Sequence, residues 1–274
     1  MHARAAPTET PAAEGAPGGL SEGRLLKSEP KCRIWSGRLP DGTAAVVKMY
    51  RHRGPAGTLR GAALRFRAER EHAALGRLER CGVPCSRPLF WRRGYARAHG
   101  FYEILATREI PRAAPLNARL SRAGAAPEAA DFRALFEAVD RMHRHGVYHG
   151  ALSPKNILVG PAADGPPRLF LIDMARAKLF PGSIRGKRIA RCDLLQLVVK
   201  LERHLGFGAC RPFLGACGLG APATETLYAE ARRWGRMSRS RKTAQARLAL
   251  EIFLAASAAR LALALRPAPS GRPG

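Results

Sequence analysis

Acidic residues and lysine are both scarce in this sequence. Asp and Glu number 21 against 47 Lys and Arg, a formal charge of +26 over 274 residues. Only 8 of those 47 cations are lysine. A field of this sign gathers polyanions, phosphorylated ligands and acidic membrane surfaces whatever the fold beneath it. The 39 arginines, with 28 Gly and 21 Pro, also carry the stamp of a GC-rich genome, so part of the excess is compositional. Cysteine is sparse as well. Cys32, Cys81, Cys85, Cys192, Cys210 and Cys217 are scattered through a chain too long to need stapling, and none has zinc-finger spacing with a matching second pair. Free thiols and a cytoplasmic location are expected. Long apolar runs are missing too: the stretch near the C-terminus carries Glu251 and Arg260, and the uncharged run Pro212–Thr224 is broken by Gly and Pro. No membrane span is expected, and membrane contact would be peripheral. The first 23 residues lack the apolar centre of a signal peptide and read as a disordered tail, as do residues 266–274. No internal repeat is present.

What is there is 46% hydrophobic, ample for a packed core. Arg24 to Leu39 is extended in character, and Pro40-Asp41-Gly42 is a turn leading into the apolar strand Ala44–Tyr50, which carries one cation, Lys48. A helix is predicted from about Leu64 to Arg80, closed at Cys81-Gly82 and containing Glu71. Two strand-like runs, Arg87–Trp91 and Phe101–Ile110, complete a small β-rich lobe over about 24–110. Helical character then takes over, to about residue 265. Phe132, Leu135, Phe136, Val139 and Met142 mark one face of a helix that Gly146 ends. Beyond it lie a polar loop, Tyr148–Asn156, then Ile157–Val159, a Pro/Gly turn and Leu169–Ile172, which together predict a hairpin. Asp193 to Leu205 is apolar on nearly every face, the signature of a buried helix.

The chemistry concentrates in that hairpin. A loop ending in Asn156, followed by strand, turn, strand and Asp173, places an amide oxygen and a carboxylate at one edge. Such a pair suits Mg²⁺, which takes few protein oxygens and completes its shell with water and phosphate. Upstream, Lys48 on a strand and Glu71 on a helix are suited to an ion pair that holds the lysine against phosphate. The order of strand Lys, helix Glu, loop His-x-x-Leu-x-x-x-Asn and strand Asp is kinase-like.

The run Tyr148-His149-Gly150-Ala151-Leu152-Ser153-Pro154-Lys155-Asn156-Ile157-Leu158-Val159, with Leu171-Ile172-Asp173, resembles the lipopolysaccharide kinase family, bacterial kinases that phosphorylate Kdo or heptose of the inner core. Arg70-Glu71, Leu75, Leu78 and Gly82-Val83-Pro84 resemble that family's regulatory helix and its exit. The resemblance spans about residues 24–210. It implies an α+β, two-lobed protein-kinase-like fold, with one main helix in the β-rich N-lobe and a helical C-lobe. It further implies ATP as phosphoryl donor, with Lys48 on the α- and β-phosphates, Glu71 anchoring it, Glu109 near the adenine-binding hinge, and Asn156 and Asp173 on Mg²⁺. His149 would organise the loop, and Asp193 would tie down its backbone. A helix N-cap is the plainer alternative for Asp193.

Two departures stand out. The family has Asp where this chain has Ala151, and that Asp accepts the proton of the attacking hydroxyl. A methyl group cannot accept a proton, and general-base assistance is worth about 10² to 10⁴ in rate. Phosphoryl transfer draws mostly on positioning and charge neutralisation, so nucleotide binding should survive while turnover is weak or absent. Ala151 is either native, which makes the chain a pseudokinase serving as a nucleotide-binding or scaffolding module, or an Asp→Ala change in an enzyme. The second departure is the phosphate-covering loop Lys27-Ser28-Glu29-Pro30-Lys31, which has no glycine. Lys27 and Lys31 would replace backbone amides as phosphate contacts.

Arg176, Lys178, Arg185, Lys187, Arg188 and Arg191 follow Asp173 with no acidic residue before Asp193. This suits an anionic acceptor, such as a phosphorylated or carboxylated core sugar on a glycolipid at the cytoplasmic face of the inner membrane. A solvated basic face is the simpler account. Arg232–Arg247 is a further basic stretch that could meet phosphates of a membrane or of nucleic acid, the latter resting on charge alone. His143, His145 and His149 do not make a metal site, because residues two apart cannot share a helix face.

Overall fold

The computed structural model describes residues 19–52, 67–96, 100–121, 129–161, 168–206 and 220–237, with 210, 214 and 215. Its first half is an antiparallel sheet of β1 (Ser21–Glu29), β2 (Cys32–Arg38), β3 (Ala44–His52), β4 (Pro88–Ala96) and β5 (Gly100–Arg108), in the order β1-β2-β3-β5-β4. The Pro40-Asp41-Gly42 signal does make the β2–β3 turn. Gly42 adopts φ +79°, and the Asp41 carboxylate accepts the Thr43 N–H at 2.9 Å. Val47, Ile104 and Ala106 form a core on one face of the sheet, with Leu20, Leu89, Phe90 and Tyr102 against it. The opposite face of the central strands carries Lys48, Tyr50 and His52 across from Leu105, Glu103 and Phe101. Strand β1 begins at Ser21, so ordered structure starts inside the segment whose composition reads as tail. The first 18 and last nine residues lie outside those described.

Helix α1 (Arg67–Arg80) buries Ala74, Leu75 and Leu78 and stops where Gly82 takes φ +65°. The start expected at Leu64 falls outside the described residues. Its exit is stitched to a second, smaller sheet: Leu171 N–H donates to Pro84 O at 3.0 Å and Ser86 N–H to Leu171 O at 3.3 Å. That sheet comprises β6 (Ala114–Pro115), β8 (Ile157–Gly160) and β9 (Arg168–Leu171), in the order β6-β8-β9. The hairpin of β8 and β9 is the one the apolar runs predict, pairing Ile157 with Leu171 and Val159 with Leu169.

After the short α2 (Leu116–Leu120), α3 (Ala129–Arg144) buries Phe132, Leu135, Phe136, Val139 and Met142 and ends before Gly146 at φ +68°. A side chain at Gly146 would strike the carbonyl oxygens of Phe180 and Gly182. The chain there pairs β7 (Val147–Tyr148) with β10 (Lys178–Leu179). Helix α4 (Arg188–Leu205) buries Leu195, Leu197, Val198 and Leu201, as its all-round apolar pattern requires, and α5 (Ala221–Met237) packs on it. Of the basic stretch Arg232–Arg247, α5 takes in the residues up to Met237, and the rest lies outside those described.

The chain falls into two units. One holds the large sheet, with Pro88–Glu109; the other holds Arg70–Arg87 and the described residues from Ile110 onward. Most of α1 therefore groups with the second unit. Among the described residues no helix is long and apolar enough to cross a membrane, and the five described cysteines are free thiols.

Candidate active site

The loop between β7 and β8 is held by one carboxylate. Asp193 lies in the second turn of α4, fully buried. The residue before the helix is Lys187, so the N-cap reading of Asp193 is wrong: the carboxylate faces the loop. Its Oδ2 accepts the His149 N–H at 2.8 Å and its Oδ1 the Gly150 N–H at 3.0 Å. His143, on α3, donates from Nε2 to the same Oδ2 at 3.2 Å. Three donors converging on a buried carboxylate compensate its lost hydration.

His149 is fully buried. Its Nδ1 accepts the Ala151 N–H at 3.3 Å, which puts the ring proton on Nε2. That nitrogen has no partner at hydrogen-bond geometry. Burial holds the ring below its usual protonation range, opposed by the charges of Asp193 and Asp173 and by the Ile172 backbone. It is therefore a neutral, structural imidazole. Gly150 is required by geometry: at φ +74°, an added Cβ would lie 2.7 Å from Arg176 O and 3.2 Å from Arg176 Cβ. The segment after Asp173 thus runs directly against the loop.

Asn156 ends the loop in a single 3-10 turn, Pro154–Asn156, and is buried. Its amide Nδ2 donates to Ala151 O at 2.9 Å, leaving Oδ1 as the accepting end, and its own carbonyl takes the Ile172 N–H at 3.0 Å. The bond to Ile172 sets Asp173, one residue on, beside Asn156. Asp173 turns away from the strand at φ +61°, a left-handed conformation that Asp tolerates better than most residues. An amide oxygen and a carboxylate at one edge are hard donors of the kind Mg²⁺ accepts, so the residues fit that ion. Ala151 stands on the loop between these anchors, without a polar side-chain atom.

The other expected residues lie on several elements. Lys48 is half-buried on β3, and Glu71 is fully buried on α1. Glu109 follows β5, its N–H donating to Ala44 O at 2.9 Å, where the chain passes from one unit to the other. Lys27 pairs with Glu29, two residues along the same strand, at 2.8 Å, and Lys31 is exposed in the β1–β2 turn. Of the basic segment, Arg185 is bound to Asp140 at 2.7 Å and Arg191 to Glu230 at 2.5 Å. Arg176, Lys187 and Arg188 are exposed, and Lys178 is half-buried on β10.

Two buried polar residues have partners that the sequence reading does not give them. One is His143, whose signal was available: it follows Phe136 and Val139 at seven and four residues, so it lies on the buried face and needs an internal partner. Its partner is the Asp193 carboxylate. The other is Glu103, fully buried on β5.

Comparison with known proteins bears on the fold and the family. No curated protein matches the chain. Among solved structures, "WaaP in complex with acyl carrier protein" is similar, with a TM-score of 0.56 and 21% identity over 79% of this chain and 88% of that one. At that identity the likeness carries the fold, which is protein-kinase-like. The sequence pattern of the lipopolysaccharide kinase (Kdo/WaaP) family matches residues 22–207. With that match covering most of its length, the chain belongs to the lipopolysaccharide kinase (Kdo/WaaP) family.

Proposed function

We propose that the chain binds ATP with Mg²⁺ in the manner of an inner-core sugar kinase, and that Ala151 leaves phosphoryl transfer to the sugar hydroxyl weak or absent. The observation that supports this reading is a loop whose backbone is held by hydrogen bonds on both sides of Ala151. Asp193 still holds His149 and Gly150, and Asn156 still bonds across to Ala151. In the proposal Lys48, anchored by Glu71, meets the α- and β-phosphates. Glu109 lies near adenine, and Lys27 and Lys31 approach the phosphates from the glycine-free hairpin. Asn156 and Asp173 hold Mg²⁺, which would neutralise charge developing on the transferred group. Arg176, Lys178, Arg185, Lys187 and Arg188 form the field that receives an anionic core glycolipid, with the protein resting peripherally on the inner membrane's cytoplasmic face.

The test is Ala151→Asp, assayed for transfer of labelled γ-phosphate from ATP to inner-core glycolipid alongside ATP titration. A gain of about 10² to 10⁴ in rate is expected, the usual worth of a general base. ATP binding with no gain in transfer would favour the second reading, a pseudokinase that binds nucleotide as a scaffold. That reading also starts from Ala151. Failure to bind ATP at all would remove the nucleotide site itself.

A further inference from the structure

Glu103 is a fully buried carboxylate to which the proposed phosphoryl transfer gives no role. It sits on β5 opposite Tyr50 of β3, on the sheet face that also carries Lys48 and His52. Both of its oxygens are engaged. Oε1 accepts the Nε2–H of His52, at the end of β3, at 2.6 Å; Oε2 accepts the backbone N–H of Ala68, in the first described turn of α1, at 2.8 Å. His52 is itself braced by the ring of Phe101, with centroids 5.7 Å apart. A carboxylate at a helix start meets both an unsatisfied amide and the positive end of the helix dipole. One side chain of β5 therefore holds the Ala68 amide in the first described turn of α1.

Glu71 lies three residues beyond Ala68, about 4.5 Å further along the axis at the rise of an α-helix. We propose that Glu103 is a positioning residue: by bonding Ala68 it fixes the first described turn of α1 and, through the continuous helix, the place of Glu71, the residue assigned to hold Lys48. This rests on the nucleotide-site reading only for its effect on ATP.

Amide hydrogen exchange of the full chain, read in parallel with ATP·Mg²⁺ titration, tests the proposal. In Glu103→Ala, the amides of Ala68–Glu71 should exchange about tenfold faster while those of α4 keep their wild-type rates. The dissociation constant for ATP should rise by about tenfold, the scale of one hydrogen bond to a charged acceptor. Glu103→Gln keeps an oxygen for the Ala68 N–H and should restore most of both. Glu103→Asp keeps the charge but not the reach and should behave like Ala, serving in its place where Ala does not fold. Unchanged exchange in α1, or an equal rise in α1 and α4 in every variant, would overturn the idea. If the wild type binds no ATP, the nucleotide reading fails, and the exchange data alone judge the tether.

Discussion

At the scale of single residues, Asp193 has the most dependants. Removing its carboxylate leaves the His149 and Gly150 amides and the His143 imidazole without their acceptor. Asp193→Ala should therefore lower stability by about 3 kcal/mol or more, read as a shift in the urea midpoint. His149 makes a separate prediction. Its protonation range is lowered by burial, so the folded state resists taking up a proton that the unfolded chain accepts. Its contribution is intact above the unfolded value of about 6.5 and is lost as pH falls below it, with a slope of up to about 1.4 kcal/mol per pH unit. Urea midpoints of wild type and His149→Gln between pH 7.5 and 5 should show the wild type losing stability more steeply. Sequence exposes Asp193 and His149 only through the kinase-like spacing. Their union depends on partners 44 residues apart, as that of Glu103 and His52 depends on 51, and no local periodicity records such separations.

At the scale of elements, the β8–β9 hairpin was fully legible. Two apolar runs around a Pro/Gly turn leave little choice but an antiparallel pair, and the pair's register sets Asn156 beside Asp173. The path of the chain after Asp173 was not legible, because its residues are basic and aperiodic. That path makes Gly150 irreplaceable. Gly150→Ala must relieve both a left-handed backbone and a contact of 2.7 Å with the Arg176 carbonyl. A loss of about 1–3 kcal/mol is expected, accompanied by weaker ATP-dependent thermal stabilisation, since the loop carrying Asn156 must move. Reading the basic segment as a uniform cationic surface also misses Asp140 and Glu230, which come from α3 and α5 to engage Arg185 and Arg191.

For the molecule as a whole, a charge of +26 acts at long range and is screened by salt. Sedimentation with vesicles containing anionic lipid should show binding at low ionic strength that falls steeply as salt is raised, at roughly 1 kcal/mol per cation near the surface. Arg176→Ala should weaken it more than Arg185→Ala, because the latter guanidinium is partly offset by Asp140, a carboxylate it shares with Arg144. Retention at high salt, or equal effects of the two substitutions, would count against this account. The contact between Gly150 and the Arg176 backbone reaches further. Protein kinases carry an arginine directly after the loop histidine, and phosphorylation of their activation loops is read by arginines of this kind. Here no side chain fits that place. A phosphate placed on the segment after Asp173 would find no arginine at position 150 to bind it, because the Arg176 carbonyl already occupies the room such a side chain would need.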